Sequence, residues 1–194
     1  MVDARAISLD RMVSAVEKVR LRLLKACGAL GRAGIPYAVV GGNAIAAWVS
    51  TVDEGAVRNT RDVDLMIARS DLERARATLE PEGFVYRHVA SLDVFLDDER
   101  ASVRDAVHIV FAGELVREGE PAENPGLDVV HDTGEFKVLG LEPIVQIKLT
   151  AYGDKDRTHL RDLIEVGLVD ETWLAKLPPA LAPRLKAILD DPDG

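Results

Sequence analysis

The sequence predicts an α/β fold of the α+β kind, with a small mixed sheet flanked by helices and a helical region at the C-terminal end. Three observations carry this reading. Apolar residues recur at intervals of three and four over residues 9–33, short apolar or alternating runs bounded by turn residues recur between 37 and 139, and the spacing is helical from residue 142 onward. A length of 194 residues fits one compact domain with an appendage, and the expected division is a core with its N-terminal helix over 1–141 and a helical region over 142–194.

Met12, Val16, Val19, Leu23, Cys27 and Leu30 form the stripe of the first amphipathic helix, and Gly31 and Gly34 mark its end. Residues 37–40 are a short apolar run, expected as a buried strand, and Gly41-Gly42 turns it into a helix over 43–48. Residues 61–68 alternate as a strand, and Ser70-Asp71 is expected to cap a charged helix over 71–80 that Pro81 and Gly83 close. Strands are expected at 84–87, 92–96 and 106–112, and again at 136–139 after a Pro- and Gly-containing loop over 118–126. In the C-terminal region Leu149, Leu160, Leu163, Ile164 and Gly167 are expected inward, then Trp173, Leu174 and Leu177, before a last helix over 181–189.

Composition narrows the function classes. Hydrophobic residues at 47% and charged residues at 29% are those of a globular chain able to bury a core. A net charge of −9 opposes broad nucleic-acid binding. The basic groups Arg69, Arg74 and Arg76, and Lys155, Arg157 and Arg161, read as solvated helix faces. Cys27 is the only cysteine and sits among leucines, which excludes an internal disulfide and suggests a buried thiol. Charges at Asp3, Arg5, Asp10 and Arg11 leave no apolar run for a signal peptide, no later stretch approaches a membrane span, and a cytoplasmic location without membrane partners is expected.

The chemistry concentrates at two places. In the strand around Asp62-Val63-Asp64, a period of two puts both carboxylates on one face and Val63, Leu65 and Ile67 on the other. Two adjacent ionised carboxylates repel, so a site holding both calls for a cation, and Mg²⁺ is the natural one because it shares carboxylate and phosphate oxygens. About twenty residues upstream, Gly41-Gly42 joins an apolar strand to a helix, where glycine lets the backbone approach a phosphate and free N–H groups attract anions. Either feature alone also arises as ordinary surface acids or as a simple turn.

Strand, Gly41-Gly42, helix, loop and Asp62-Val63-Asp64 together resemble the polymerase-β-like nucleotidyltransferase superfamily over residues 35–115. The resemblance implies a nucleotidyltransferase-like fold, a turn at Gly41, Gly42 and Asn43 that cradles the phosphates of a nucleoside triphosphate, and a divalent ion, Mg²⁺ or Mn²⁺, on Asp62 and Asp64. Lys148-Leu149-Thr150-Ala151-Tyr152, Lys155-Asp156 and Leu160-Arg161-Asp162-Leu163 look like the C-terminal part of the abortive-infection type, which includes toxin components. That implies nucleotide-binding roles for Lys148 and Lys155, and Arg61 joins them as a third candidate. On a continuous helix Lys148, Tyr152, Lys155, His159 and Asp162 would share one face, although Gly153 stands where an arginine is expected.

The pattern departs at the third carboxylate, because His108 occupies its expected place in residues 107–111. His108 is either a general base or a structural histidine marking a lost ligand, and Asp93 and Asp105 are the fallback carboxylates. His88, His131 and His159 lack metal-ligand spacing and read as surface residues, and no serine nucleophile elbow or Walker loop is present. The expected activity is transfer of a nucleoside monophosphate to an acceptor hydroxyl with loss of pyrophosphate, the acceptor being a small molecule such as an antibiotic, a tRNA end or a protein. The alternative is a catalytically weakened nucleotide-binding or toxin–antitoxin component of the same fold.

Overall fold

A computed structural model describes residues 8–191. Asp3 and Arg5, part of the charged N-terminal stretch, lie outside the described residues. The chain runs α1 (Leu9–Arg32), β1 (Ala38–Val40), α2 (Gly41–Ser50), β2 (Val63–Ile67), α3 (Leu72–Leu79), β3 (Val85–Val89), β4 (Leu92–Leu96), β5 (Val107–Phe111), β6 (Val130–Asp132), β7 (Lys137–Leu139), α4 (Leu141–Ala151), α5 (Asp154–Glu165) and α6 (Ala182–Asp190). Among the described residues the strands form one seven-stranded mixed sheet in the order β3-β4-β5-β2-β1-β7-β6. β2 runs parallel to β5 and β1 parallel to β7, and the remaining neighbours are antiparallel.

Register assigns the two faces of the sheet. Val63, Leu65 and Ile67 lie beside Val107, Ile109 and Phe111, and this face is apolar. α1 and α3 cover it, with the Arg76 guanidinium of α3 over the Tyr86 ring at 5.1 Å and Lys25 of α1 over Phe84 at 4.8 Å. Leu30, Leu65, Ile67 and Leu79 are fully buried there, each contributing about 1.5–3 kcal/mol by leaving water. Asp64 and His108, also side by side, point from the other face.

The apolar stripe of α1 is only half used. Leu23, Cys27 and Leu30 are buried, whereas Leu9, Met12 and Val13 are 73%, 65% and 60% exposed. At 24 residues the helix is about 36 Å long and outruns the sheet and the eight-residue α3 beneath it. Asp71 stands at the N-cap of α3 as expected, but neither Ser70 nor Asp71 makes a side-chain cap hydrogen bond: residues Arg69–Asp71 form a 3-10 turn, and the Asp71 carboxylate pairs with Arg74 at 2.6 Å. β6, absent from the sequence reading, is a three-residue edge strand closing a hairpin on β7.

The C-terminal helices are not continuous. Tyr152 adopts a left-handed conformation (φ 52°) and ends α4, and the Gly153 N–H donates to Asp156 Oδ2 at 3.1 Å to open α5. Arg184 of α6 fixes the break, donating to the carbonyls of Leu149 and Thr150 at 2.7 Å each and accepting on its own carbonyl the Tyr152 hydroxyl at 3.0 Å. The carbonyls that a helix end leaves without intrahelical partners are thus satisfied by a cation. Ile144, Leu149, Leu160, Leu163, Leu181 and Leu185 belong to the same buried cluster as the strands, so this region packs on the core and stands over the Asp64 face.

Candidate active site

Val40, the last residue of β1, lies opposite Asp64, which brings the following turn against that carboxylate. Gly41 is left-handed (φ 64°), and a Cβ added there would meet Asp64 Oδ2 at 1.8 Å. No other residue fits, because both the backbone conformation and the close approach exclude a side chain. At Gly42 a Cβ would come within 3.0 Å of the Thr60 side chain. The start of α2, with its unsatisfied N–H groups, is thereby pressed against the acidic pair.

Asp62 lies just ahead of β2 rather than within it, a correction to the expected strand over 61–68. The cause is where the backbone carbonyls go. Arg22, 7% exposed, donates Nη1 to the Arg61 carbonyl at 3.1 Å while its other nitrogens grip Asp97, and the Asn43 amide donates to the Asp62 carbonyl at 2.8 Å. Side chains take the acceptors a neighbouring strand would otherwise use, and the ladder begins at Val63. The Thr60 hydroxyl donates to Asp62 Oδ1. Burial raises the Asp62 pKa, but the Thr60 hydroxyl, the residue's own amide, Lys155 and His108 outweigh it, and the carboxyl lies below its ordinary value.

His108 is the neighbour of Asp64 across the β2–β5 ladder. Its Nε2 lies 2.7 Å from the Val103 carbonyl and its Nδ1 3.3 Å from Asp64 Oδ1. The Asp64 carboxylate raises the imidazole pKa, burial opposes the rise, and the Val103 carbonyl and Asp62 add to it. One ligand atom each from Asp62, Asp64 and His108 lie within 4.8 Å of one another, the group among the described residues able to hold a metal ion. Two carboxylates and one ring nitrogen at that spacing fit a divalent cation.

These groups open onto a cleft of about 810 Å³ whose far wall is α4 and α5. Gly42, Arg61, Asp62, Asp64, His108, Lys148 and Lys155 all line it. Asn43 does not line it, and its amide is engaged by Asp62. Lys148, only 8% exposed, donates Nζ to Asp156 Oδ1 at 2.8 Å, and Lys155 is exposed. Arg61 forms a two-pronged pair with Asp105 at 3.1 Å for each bond.

The expected single helical face is corrected by the break at Tyr152. The break brings Lys148, Lys155 and His159 to one cleft, but turns Tyr152 toward α6 and leaves Asp162 buried against Arg58 Nε at 2.8 Å. His159, read as a surface residue, is half-buried in the cleft wall, and its Nδ1 is buried without a hydrogen-bond partner. Its pKa is lowered by burial and by Lys148, against Asp156 and Asp162. Asp93 sits on the opposite face of the sheet beside Ile109, where it accepts from the Tyr86 hydroxyl at 2.6 Å and lies 2.9 Å from His88 Nδ1.

Thr60, Arg58, Arg104, Asp156, Thr158 and His159 line the cleft without having been singled out as site residues from sequence. Two of them carried a usable signal: Asp156 stands three residues after Gly153 at the spacing of a helix-opening acid, and His159 falls at helical spacing from Lys148 and Lys155.

Compared with protein-family models and with curated protein sequences, the chain matches none. Solved structures do match. The solution structure of the antibiotic-resistance factor ANT(2'')-Ia is 14% identical and aligns over 93% of this chain and 92% of that one, with a TM-score of 0.50. The crystal structure of ANT(2'')-Ia in complex with adenylyl-2''-tobramycin is 18% identical over 90% and 97%, with a TM-score of 0.51. An antigenic nucleotidyltransferase-like protein from Paracoccidioides brasiliensis is 16% identical over 92% and 91%, also at 0.51. At these identities the likeness is one of architecture, and the chain has a nucleotidyltransferase-like fold.

Proposed function

We propose that this chain is a metal-dependent nucleotidyltransferase that moves a nucleoside monophosphate from a nucleoside triphosphate to an acceptor hydroxyl. The observation that carries the reading is the contact between the Gly41 backbone and Asp64, in which a glycine-only turn at a helix start is held against a carboxylate pair. A phosphate chain on the helix N-terminus and an ion on the carboxylates would then share one position. Asp62 and Asp64 would hold the ion, Mg²⁺ or Mn²⁺, Gly41 and Gly42 would present backbone N–H groups to the phosphates, and positive charge would come from Lys148 and Lys155 on the opposite wall and from Arg61 beside Asp62. When bound, the ion neutralises the carboxylates and polarises phosphate oxygens. The acceptor oxygen bonds to the α-phosphorus in line as the bond to pyrophosphate breaks, pyrophosphate leaving with the electron pair and the hydroxyl proton passing to a base or water in the cleft.

The C-terminal pattern around Lys148, Lys155 and Asp156 supports a place within the abortive-infection type, and with it a core over 1–141 and a functional helical wall over 142–194. The architecture shared with an antibiotic-resistance factor crystallised with adenylyl-2''-tobramycin keeps a small-molecule acceptor beside a tRNA end or a protein hydroxyl. A cytoplasmic setting, where triphosphates are plentiful, belongs to the same reading, and no helix of the described residues is long and apolar enough to cross a membrane. One second reading has an observation behind it: with His108 in place of a third carboxylate and Lys148 already paired with Asp156, the chain would bind nucleotide without turnover. Incubation of the purified protein with each labelled triphosphate, Mg²⁺ or Mn²⁺ and a cell extract separates the two. Label carried to an acceptor supports transfer, bound but unconverted nucleotide supports the second reading, and absence of both rejects the site.

A further inference from the structure

We propose that His108 is a direct metal ligand, completing an Asp62–Asp64–His108 site that takes Mn²⁺ or Co²⁺ in preference to Mg²⁺. The proposal rests on the reading above that the two carboxylates hold the ion. It begins with the Val103 carbonyl, 2.7 Å from Nε2. A carbonyl only accepts, so Nε2 carries a proton, and in the neutral ring the lone pair is on Nδ1. Metal-binding histidines are oriented in this way, the far N–H donating to a backbone carbonyl or carboxylate.

Nδ1 faces Asp64 Oδ1 at 3.3 Å. With Nδ1 unprotonated, two lone pairs at that separation repel, and a cation between them, a proton or a metal ion, removes the repulsion. Ligand atoms at about 2.0–2.2 Å from one ion lie roughly 3–4 Å apart, so the His108–Asp64 pair already has ligand spacing, and Asp62 lies within the 4.8 Å limit of the group. The ladder that sets Asp64 beside His108 makes this spacing a property of the backbone.

The ligand set decides the ion. Mg²⁺ is a hard cation that takes oxygen ligands and dehydrates reluctantly, whereas imidazole suits the later first-row ions, whose affinity for a given site rises from Mn²⁺ through Co²⁺. A general-base role is less well served by this geometry, because the one nitrogen free to accept a proton is directed at the two carboxylates.

The test is spectroscopic and needs no turnover. Electron spin echo modulation of the Mn²⁺-loaded protein should show coupling to a ring nitrogen, changed by ¹⁵N-histidine labelling and lost in His108→Asn. Calorimetric titration without nucleotide should rank Co²⁺ and Mn²⁺ above Mg²⁺. His108→Ala should weaken Mn²⁺ by at least the roughly 10–100-fold that loss of an outer-sphere partner costs, and His108→Asp should narrow the gap to Mg²⁺. Bound Mn²⁺ without nitrogen coupling, or Mg²⁺ bound as tightly as Mn²⁺ with His108→Ala changing neither, would overturn the proposal and leave nucleotidyl transfer standing. Failure to bind any ion, with or without nucleotide, would overturn both.

Discussion

On one wall of the cleft Asp64 and His108 are placed by strand register with the Gly41-Gly42 turn behind them, while on the other Lys148 and Lys155 reach in from two helices joined at a left-handed Tyr152. The strand wall and the residues behind it are short side chains whose partners are backbone or adjacent in the ladder: Val103 on His108 in the wall, Asn43 on the Asp62 carbonyl and Gly41 against Asp64 behind it. The helical wall consists of long cations already paired or exposed, such as Lys148 on Asp156. Distances in the strand wall are therefore set by folding, at the cost of tolerating almost no change. The helical wall can exchange one partner for another when an anion arrives.

The largest effect is expected of Gly41→Ala. A left-handed φ and a Cβ 1.8 Å from Asp64 Oδ2 act together, and the variant should lose about 2–4 kcal/mol in thermal or denaturant unfolding as well as metal-dependent nucleotide binding. A variant as stable as wild type would show the strand wall to be looser than its register implies.

Lys148→Met probes the opposite wall and should behave differently. Asp156 keeps its bond from the Gly153 N–H, so the melting temperature should shift little, while nucleotide affinity falls about tenfold, the worth of 1.4 kcal/mol. A large loss of stability with unchanged affinity would make the Lys148–Asp156 pair structural.

The smallest effect concerns pH. His159 has a folded pKa below 6.5, so the unfolded chain binds more protons in the window below that value, and folding stability falls as pH drops through it. His108, with a folded pKa above 6.5, contributes the opposite: stability present below 6.5 and lost as pH rises through the folded value. The stability of wild type relative to His159→Gln should therefore decline between about pH 7 and 5, and relative to His108→Gln it should grow over the same range. Parallel unfolding curves at the two pH values would show that neither imidazole is coupled to its surroundings.

The strand wall was the legible part of the sequence. Asp62, Asp64 and Gly41 announce themselves through residue type and a period of two, and His108 through its place in an alternating run. The β1–α2 turn lies where glycine required it. What escaped depends on contacts distant in sequence. Arg22 acts on the Arg61 carbonyl from 39 residues away, and Arg58 on Asp162 from 104. Tyr152 rather than Gly153 takes the left-handed conformation, held by Arg184 of another helix, a tertiary effect no local propensity reports. The exposed start of α1 has the same origin, because a stripe records what can be buried and the length of the partner surface decides what is.

If Asp64 and the Gly41 turn bring a metal ion and a triphosphate to one position, the ion and the nucleotide must bind together. Titration of a non-hydrolysable nucleoside triphosphate analogue into wild type and Asp64→Asn, each with and without Mn²⁺, tests it directly. Wild type should bind only with metal, and Asp64→Asn should lose binding with its melting temperature nearly unchanged, since removing one of two repelling charges costs little. Equal binding by both proteins, or binding indifferent to the ion, would contradict it.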